Sequence, residues 1–237
     1  MNLLPTATSA DERRRNANVA VLPIGSFEQH GDFLPLTTDT IVACAVAERI
    51  AQDHDLFLLP PITISCSHEH AAFAGTVSIK ATTLTAVIED VLNSLEQSGI
   101  HKLVLVNGHG GNYALKHVAQ QSNISGPRVA VFPANEHWST ARTDADITTN
   151  NHDDMHAGEL ETSILLHIAP DLLRPGYDSA DHLAPRHPDL MMLGTQAYAP
   201  NGVIGRPSLA SQVKGARAMD SLASAFSERL TVLCACA

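Results

Sequence analysis

Three short stretches carry side chains able to grip a cation. The first contains Gly25, Ser26, Glu28, Gln29, His30 and Gly31, then Thr38-Asp39-Thr40. Glu28 and His30 are two residues apart. On an extended segment, residues i and i+2 point to the same side, so a carboxylate and an imidazole can converge on one ion. Asp39 follows nine residues after His30, at the mouth of an expected helix. From there it can return to the same spot and bridge two cations with its two oxygens. Taken alone, Glu-x-His also fits a surface turn, but the flanking glycines permit close backbone approach.

The second stretch is Val106-Asn107-Gly108-His109-Gly110-Gly111-Asn112. A buried strand is expected to end here and a helix to begin shortly after. Three glycines around one histidine leave His109 presented at the strand end. A metal-binding or catalytic histidine is the favoured reading; a structural turn and a phosphate cradle are the alternatives. The stretch matches neither the dinucleotide pattern nor the P-loop. The third stretch is Asp153-Asp154-Met155-His156-Ala157-Gly158-Glu159-Leu160-Glu161. Asp153 or Asp154 can cap a helix whose first turn holds His156. His156 and Glu159 then share a face at i, i+3, whereas Glu161 lies on another. An acidic helix start favoured by the helix dipole is the plainer reading of these acids.

A weaker group is Ser67-His68-Glu69-His70, which can line a pocket or sit solvated in a loop. Trp138 fits a pocket wall or a core position equally well. His54, His101, His117, His167, His182 and His187 read as structural or surface residues. There is no Gly-x-Ser-x-Gly elbow and no cysteine nucleophile motif, which argues against serine or thiol hydrolysis.

The elements that must position these groups follow from hydropathy. Apolar runs predict strands at 19–24, 56–59, 102–106 and 128–132, with 62–65 extended. Helical spacing predicts helices at 38–52, 82–98, from about 112, at 156–168 and at 215–233. Residues 139–154 read as a polar loop and 175–213 as a long irregular segment rich in Pro and Gly. The alternation of strands and helices argues for an α/β sandwich with a largely parallel sheet, whose ligands bind beyond the carboxyl ends of the strands. Residues 1–17 read as a mobile N-terminal arm and 18–237 as one domain.

Composition bounds the function. The 237 residues include 25 acids against 15 Lys+Arg, giving a net charge of −10, with 13 histidines. Apolar residues make up 44%, enough for a sizeable core. Nucleic acid is excluded as a partner, because phosphate binding needs clustered Lys and Arg, and Arg13-Arg14-Arg15 is a short run. Four cysteines form no disulfide framework in a chain this long, and Cys234-Ala-Cys236 is weak metal evidence. The N-terminus lacks a signal-peptide core and no apolar run reaches membrane-spanning length. A cytoplasmic protein with no membrane partner is expected.

In this order, the motifs GSFEQHGDFLPLTTDT, FAGTVSI, VNGHGGN, HAGELETS and NGVIGRP resemble the creatininase (creatinine amidohydrolase) family. The resemblance spans about residues 19–220 and is nearer the non-creatinine members, such as the mycofactocin-maturation peptidase group. It implies a three-layer α/β/α sandwich with a largely parallel sheet, and an enzyme that hydrolyses a C–N amide bond with a metal-activated water. The implied substrate is a cyclic amide, a formamide or a short peptide. The implied cofactors are two divalent ions, Zn²⁺, Mn²⁺ or Fe²⁺, and the implied assembly is a homo-oligomer such as a hexamer. Carried over by motif, Glu28, His30, Asp39 and His109 are metal ligands, with Asp39 the bridge. The motif selects Glu161 as a further ligand; helix geometry selects Glu159. His156 matches the catalytic histidine, with Asp153 to orient it, and His70 and Trp138 are candidates for substrate contact. Creatinine-hydrolysing members usually carry Glu where this chain has Gly111, so a ligand must come from elsewhere or from water. Asp32 and Arg206 are further departures, standing where proline and aspartate are usual. Another two-metal hydrolase and a non-catalytic metal-binding protein are the rival readings.

Overall fold

The computed structural model describes residues 3–235. Four strands, β1 (Val19–Ile24), β2 (Phe57–Leu58), β3 (Lys102–Asn107) and β4 (Val129–Phe132), form one parallel sheet in the order β2-β1-β3-β4. The helices are α1 (Ser9–Arg15), α2 (Thr38–His54), α3 (Ala81–Gln97), α4 (Ala114–Ser122), α5 (Asn135–Asp144), α6 (Glu159–Ile168), α7 (Leu190–Leu193) and α8 (Gln212–Cys234).

The central strands are apolar at almost every position because both faces are covered. Side chains alternate across the sheet, so β1 and β3 divide their residues between two cores. Val19, Val21, Val104 and Val106 pack on one side with Ile41, Ile50, Ile164, Leu222 and Phe226 from α2, α6 and α8. Ala20, Leu22, Ile24, Leu103 and Leu105 pack on the other with Leu84, Ile88 and Leu92 of α3 and Leu115 of α4. Each fully buried Leu or Ile contributes about 1.5–3 kcal/mol relative to exposure. This is the expected three-layer sandwich.

Three local readings change. The strand expected at 56–59 is two residues long, and the 62–65 stretch pairs only through a bridge from Ile62 to Ile24. The polar stretch from 139 is helical as far as Asp144, because α5 lies at the surface and buries only Ala141 and Arg142. The helix expected from 156 starts at Glu159: His156 precedes it and pairs in an antiparallel bridge with Ile204. The N-terminal stretch carries α1, begun by a Thr8–Asp11 capping box, and contacts the body through Arg15–Asp55 at 2.7 Å and through Leu3 on the main core. Cys234 is a free, exposed thiol, and Cys236 lies outside the described residues.

Candidate metal centre

The carboxyl ends of β1 and β3 meet the first turn of α2. At Gly108, just past β3, a Cβ would lie 2.2 Å from the carbonyl oxygen of Asp39. Only glycine lets the strand end pass so close to the helix, and that approach sets Asp39 between the two histidines. Asp39 Oδ1 lies 3.1 Å from His30 Nε2, and Oδ2 lies 3.1 Å from His109 Nδ1 while accepting from Ser26 Oγ at 2.6 Å. The two oxygens of one carboxylate thus face two different imidazoles.

Glu28 is fully buried, and among the described residues neither carboxylate oxygen makes a hydrogen bond. Its Oε1 lies 3.4 Å from His70 Nε2 and 3.7 Å from His156 Nδ1; Oε2 lies 3.3 Å from His109 Nε2. Leaving a buried carboxylate without donors is costly. Glu161 Oε2 accepts from Ala157 N at 2.6 Å and lies 4.0 Å from His30 Nε2. Donor atoms of Glu28, Asp39 and His109 fall within 4.8 Å of one another, as do those of His30, Asp39 and Glu161. These two sets share Asp39; a third, Glu28, His30 and His156, does not include it. A carboxylate-imidazole donor set with orphaned buried oxygens fits a pair of divalent cations.

Hydrogen bonds orient the imidazoles. His30 Nδ1 lies 3.1 Å from the Glu28 carbonyl oxygen, which leaves Nε2 facing the carboxylates. His156 Nε2 lies 2.7 Å from the Gln29 carbonyl oxygen, so Nδ1 is the nitrogen turned toward Glu28. The His156 ring sits against both His30 and His70, with centroids 4.2 and 4.3 Å apart.

Burial dominates the protonation equilibria here. It raises Glu28 to about 7 and Glu161 to about 7, against the attraction of nearby imidazoles. Burial also holds His156 well below the ordinary histidine value, with His30 and His70 adding to the effect, and lowers His70 to about 3. Burial opposes charge on His30 and Asp39 too. There it is outweighed: Asp39 lifts His30 to about 9, and His30 pulls Asp39 well below the carboxylate range.

Glu28, His30, Asp39, His109, His156, Glu161 and His70 therefore come together. Glu159 does not: it pairs with Lys214 and accepts from Thr149 Oγ1 at 3.3 Å. The i, i+3 argument for Glu159 fails because His156 is not helical. The chain turns through Ala157 at φ +51 before α6 begins, which aims Glu161 back at the cluster. Asp153 is not brought to His156 either. Its carboxylate accepts from Asn150 Nδ2 at 2.9 Å, and the buried acid of the pair is Asp154. Asp154 accepts from the backbone N–H of Glu159 at 2.6 Å and of Leu160 at 3.2 Å, and pairs with Arg142 at 2.7 Å. Trp138 packs against the main core from α5, outside the histidine cluster. Asp32 is exposed, and Arg206 donates its backbone N–H to Asp154 Oδ1 at 3.2 Å.

Two participants carried no assigned role in the sequence reading. Gln29 sits between His70 Nδ1 at 2.9 Å, His156 Nε2 at 3.1 Å and the Gly202 carbonyl oxygen at 3.0 Å. Glu69 Oε1 lies 3.3 Å from His109 Nε2. Their only sequence signal is adjacency to His30 and His70.

The family model described as creatininase, creatinine amidohydrolase, matches residues 5–230. The chain belongs to the creatininase family. It is 37% identical over 210 residues to the mycofactocin precursor peptide peptidase of Mycobacterium ulcerans, covering 83% of this chain and 78% of that protein. Among solved structures, a creatininase variant of Zn–Zn type superposes with a TM-score of 0.81 at 22% identity, covering 98% of each chain. A creatininase described with Mn superposes with a TM-score of 0.79 at 24% identity, covering 95% of this chain and 96% of that one. The chain is thus a creatininase-family amidohydrolase with that family's α/β sandwich. Among the described residues, no helix is long and apolar enough to cross a membrane.

Proposed function

We propose that this amidohydrolase uses two divalent ions to cleave a C–N bond in a short peptide or small amide. The observation that carries the reading is Asp39, whose two oxygens face separate imidazoles while both oxygens of Glu28 are buried without donors. Glu28, Asp39 and His109 would hold one ion, and His30, Asp39 and Glu161 the other. When bound, such ions lower the pKa of water and polarise a carbonyl oxygen. The Zn and Mn forms of related creatininases support Zn²⁺ or Mn²⁺.

The remaining work falls to this chain's side chains. His156 is held neutral, with Nε2 tied to the Gln29 carbonyl oxygen and Nδ1 turned to the centre. It is placed to take a proton at Nδ1 and pass it to the leaving nitrogen. Gln29 fixes His156 and His70 in one network, and the buried setting strengthens each charge interaction. Similarity to a peptide peptidase, together with glycine at position 111, favours a peptide substrate over creatinine. The family resemblance supports a homo-oligomer such as a hexamer, which light scattering on the purified protein measures.

The test of the function is metal analysis of the purified protein, followed by a screen of short peptides, formamides and cyclic amides with added Zn²⁺ or Mn²⁺. Two ions per chain and metal-dependent hydrolysis are expected. Protein that binds neither ion at Glu28 and Asp39 refutes the reading.

A further inference from the structure

Glu69 is the one carboxylate at the His109 imidazole that the two cation sets leave unused. It stands in the 3-10 turn His68–His70, on a chain segment separate from both strand ends. Its Oε1 lies 3.3 Å from His109 Nε2, and its side chain is only 12% exposed. The space it fills is the space above Gly111. A Cβ on Gly111 would lie 2.0 Å from Glu69 Oε1 and 2.4 Å from His109 Nε2. Glycine at 111 is therefore what admits the Glu69 carboxylate to the imidazole.

The two nitrogens of His109 have different surroundings. Nδ1 faces Asp39 Oδ2 at 3.1 Å. Nε2 faces the Cys66 carbonyl oxygen at 2.9 Å, Glu69 Oε1 at 3.3 Å and Glu28 Oε2 at 3.3 Å. An imidazole that offers Nδ1 to a cation must carry its proton on Nε2, and that N–H needs acceptors. With Glu28 engaged by the ion, Cys66 supplies a neutral one and Glu69 a charged one. Glu69 also lines a cavity of about 450 Å³ with His68, Tyr113, Met191 and Met192, so it stands between His109 and solvent.

We propose that Glu69 is a positioning residue of the metal centre: it accepts from His109 Nε2 over Gly111 and so fixes the imidazole with Nδ1 toward the ion. This supplies from a different chain segment the carboxylate that position 111 lacks. The inference rests on the metal centre proposed above.

The test compares the full-length wild type with Glu69→Ala, Glu69→Gln and Gly111→Ala. Zn²⁺ affinity is read by competition with a chelating dye, and ligand geometry by the visible spectrum of the Co²⁺-loaded protein. Loss of an outer partner of a ligating histidine lowers metal affinity about 10–100-fold. Glu69→Ala should lose that much at one ion and shift the Co²⁺ spectrum, while the second ion stays bound. Glu69→Gln keeps an acceptor oxygen and should stay close to wild type. Gly111→Ala, which puts a methyl group where the carboxylate sits, should fall in the same direction as Glu69→Ala. The proposal is overturned if Glu69→Ala keeps wild-type affinity and spectrum, or if Glu69→Gln falls as far as Glu69→Ala. Wild type that binds no Zn²⁺ or Co²⁺ refutes the metal centre itself, and this inference with it.

Discussion

Replacing Glu28 by glutamine should move stability in opposite directions with and without metal. Burial raises the Glu28 pKa from the ordinary 4.5 to about 7 in the fold. A folded-state pKa above the unfolded one favours the fold when the group is protonated. That contribution is fully present below pH 4.5 and is lost as the pH rises to about 7. One pKa unit corresponds to about 1.4 kcal/mol. Relative to a neutral side chain, Glu28 therefore destabilises the metal-free fold by about 3 kcal/mol at pH 8 and by under about 1 kcal/mol at pH 5, where the folded group is protonated. Glutamine has the same shape and no charge to bury. Chelated Glu28→Gln should be more stable than chelated wild type by about 3 kcal/mol at pH 8, or roughly 6–12 °C in Tm for a chain of this size. The gap should shrink toward pH 5. Added Zn²⁺ should reverse the order, because an ion that binds only the folded state stabilises it in proportion to its affinity. Thermal unfolding at pH 5 and pH 8, with EDTA and with Zn²⁺, gives the four values needed. Chelated Glu28→Gln that is less stable than wild type at pH 8, or an equal Zn²⁺ response in both proteins, refutes the assignment.

Three further outcomes follow from the geometry. His156→Ala should keep its metal and lose about 10²–10⁴ in kcat, measured by metal analysis beside turnover; full activity would remove His156 from proton transfer. Glu161→Gln should lose metal while Glu159→Gln keeps it, and the opposite pattern in metal content would restore the helix-face argument. Arg142→Ala leaves the buried Asp154 charge unpaired at the start of α6 and should cost about 3–5 kcal/mol in urea unfolding; a change below about 1 kcal/mol would show that the pair contributes little.

What could be read from sequence divides along physical lines. β1 and β3 are continuous apolar runs, and α3 carries one apolar stripe, so their periods are visible without tertiary knowledge. Glu28, His30, Asp39 and His109 were legible because each sits in a short motif at a strand end or helix mouth. Glu161 was legible from its motif and obscured by helix geometry, since nothing local announces that Ala157 takes a left-handed conformation. Asp153 and Asp154 are indistinguishable until Arg142, on a different helix, selects the buried one. Glu69 was invisible as a partner of His109, because their contact depends on a turn folding across a glycine forty-two residues away in the chain. Trp138 had two equal readings, and packing against the core chose between them.

The bridge between His156 and Ile204 also bears on protein engineering. Residues 202–205 hold the His156 side of the centre in place: Ile204 pairs with His156, and the Gly202 carbonyl oxygen accepts from Gln29 Nε2. The Met191–Gly194 stretch of the same irregular segment lines the cavity beside Glu69. A graft meant to alter that cavity should therefore exchange its wall and end before Gly202. A cut placed later would change the cavity and the position of His156 together, and the two effects would be indistinguishable in any rate measurement.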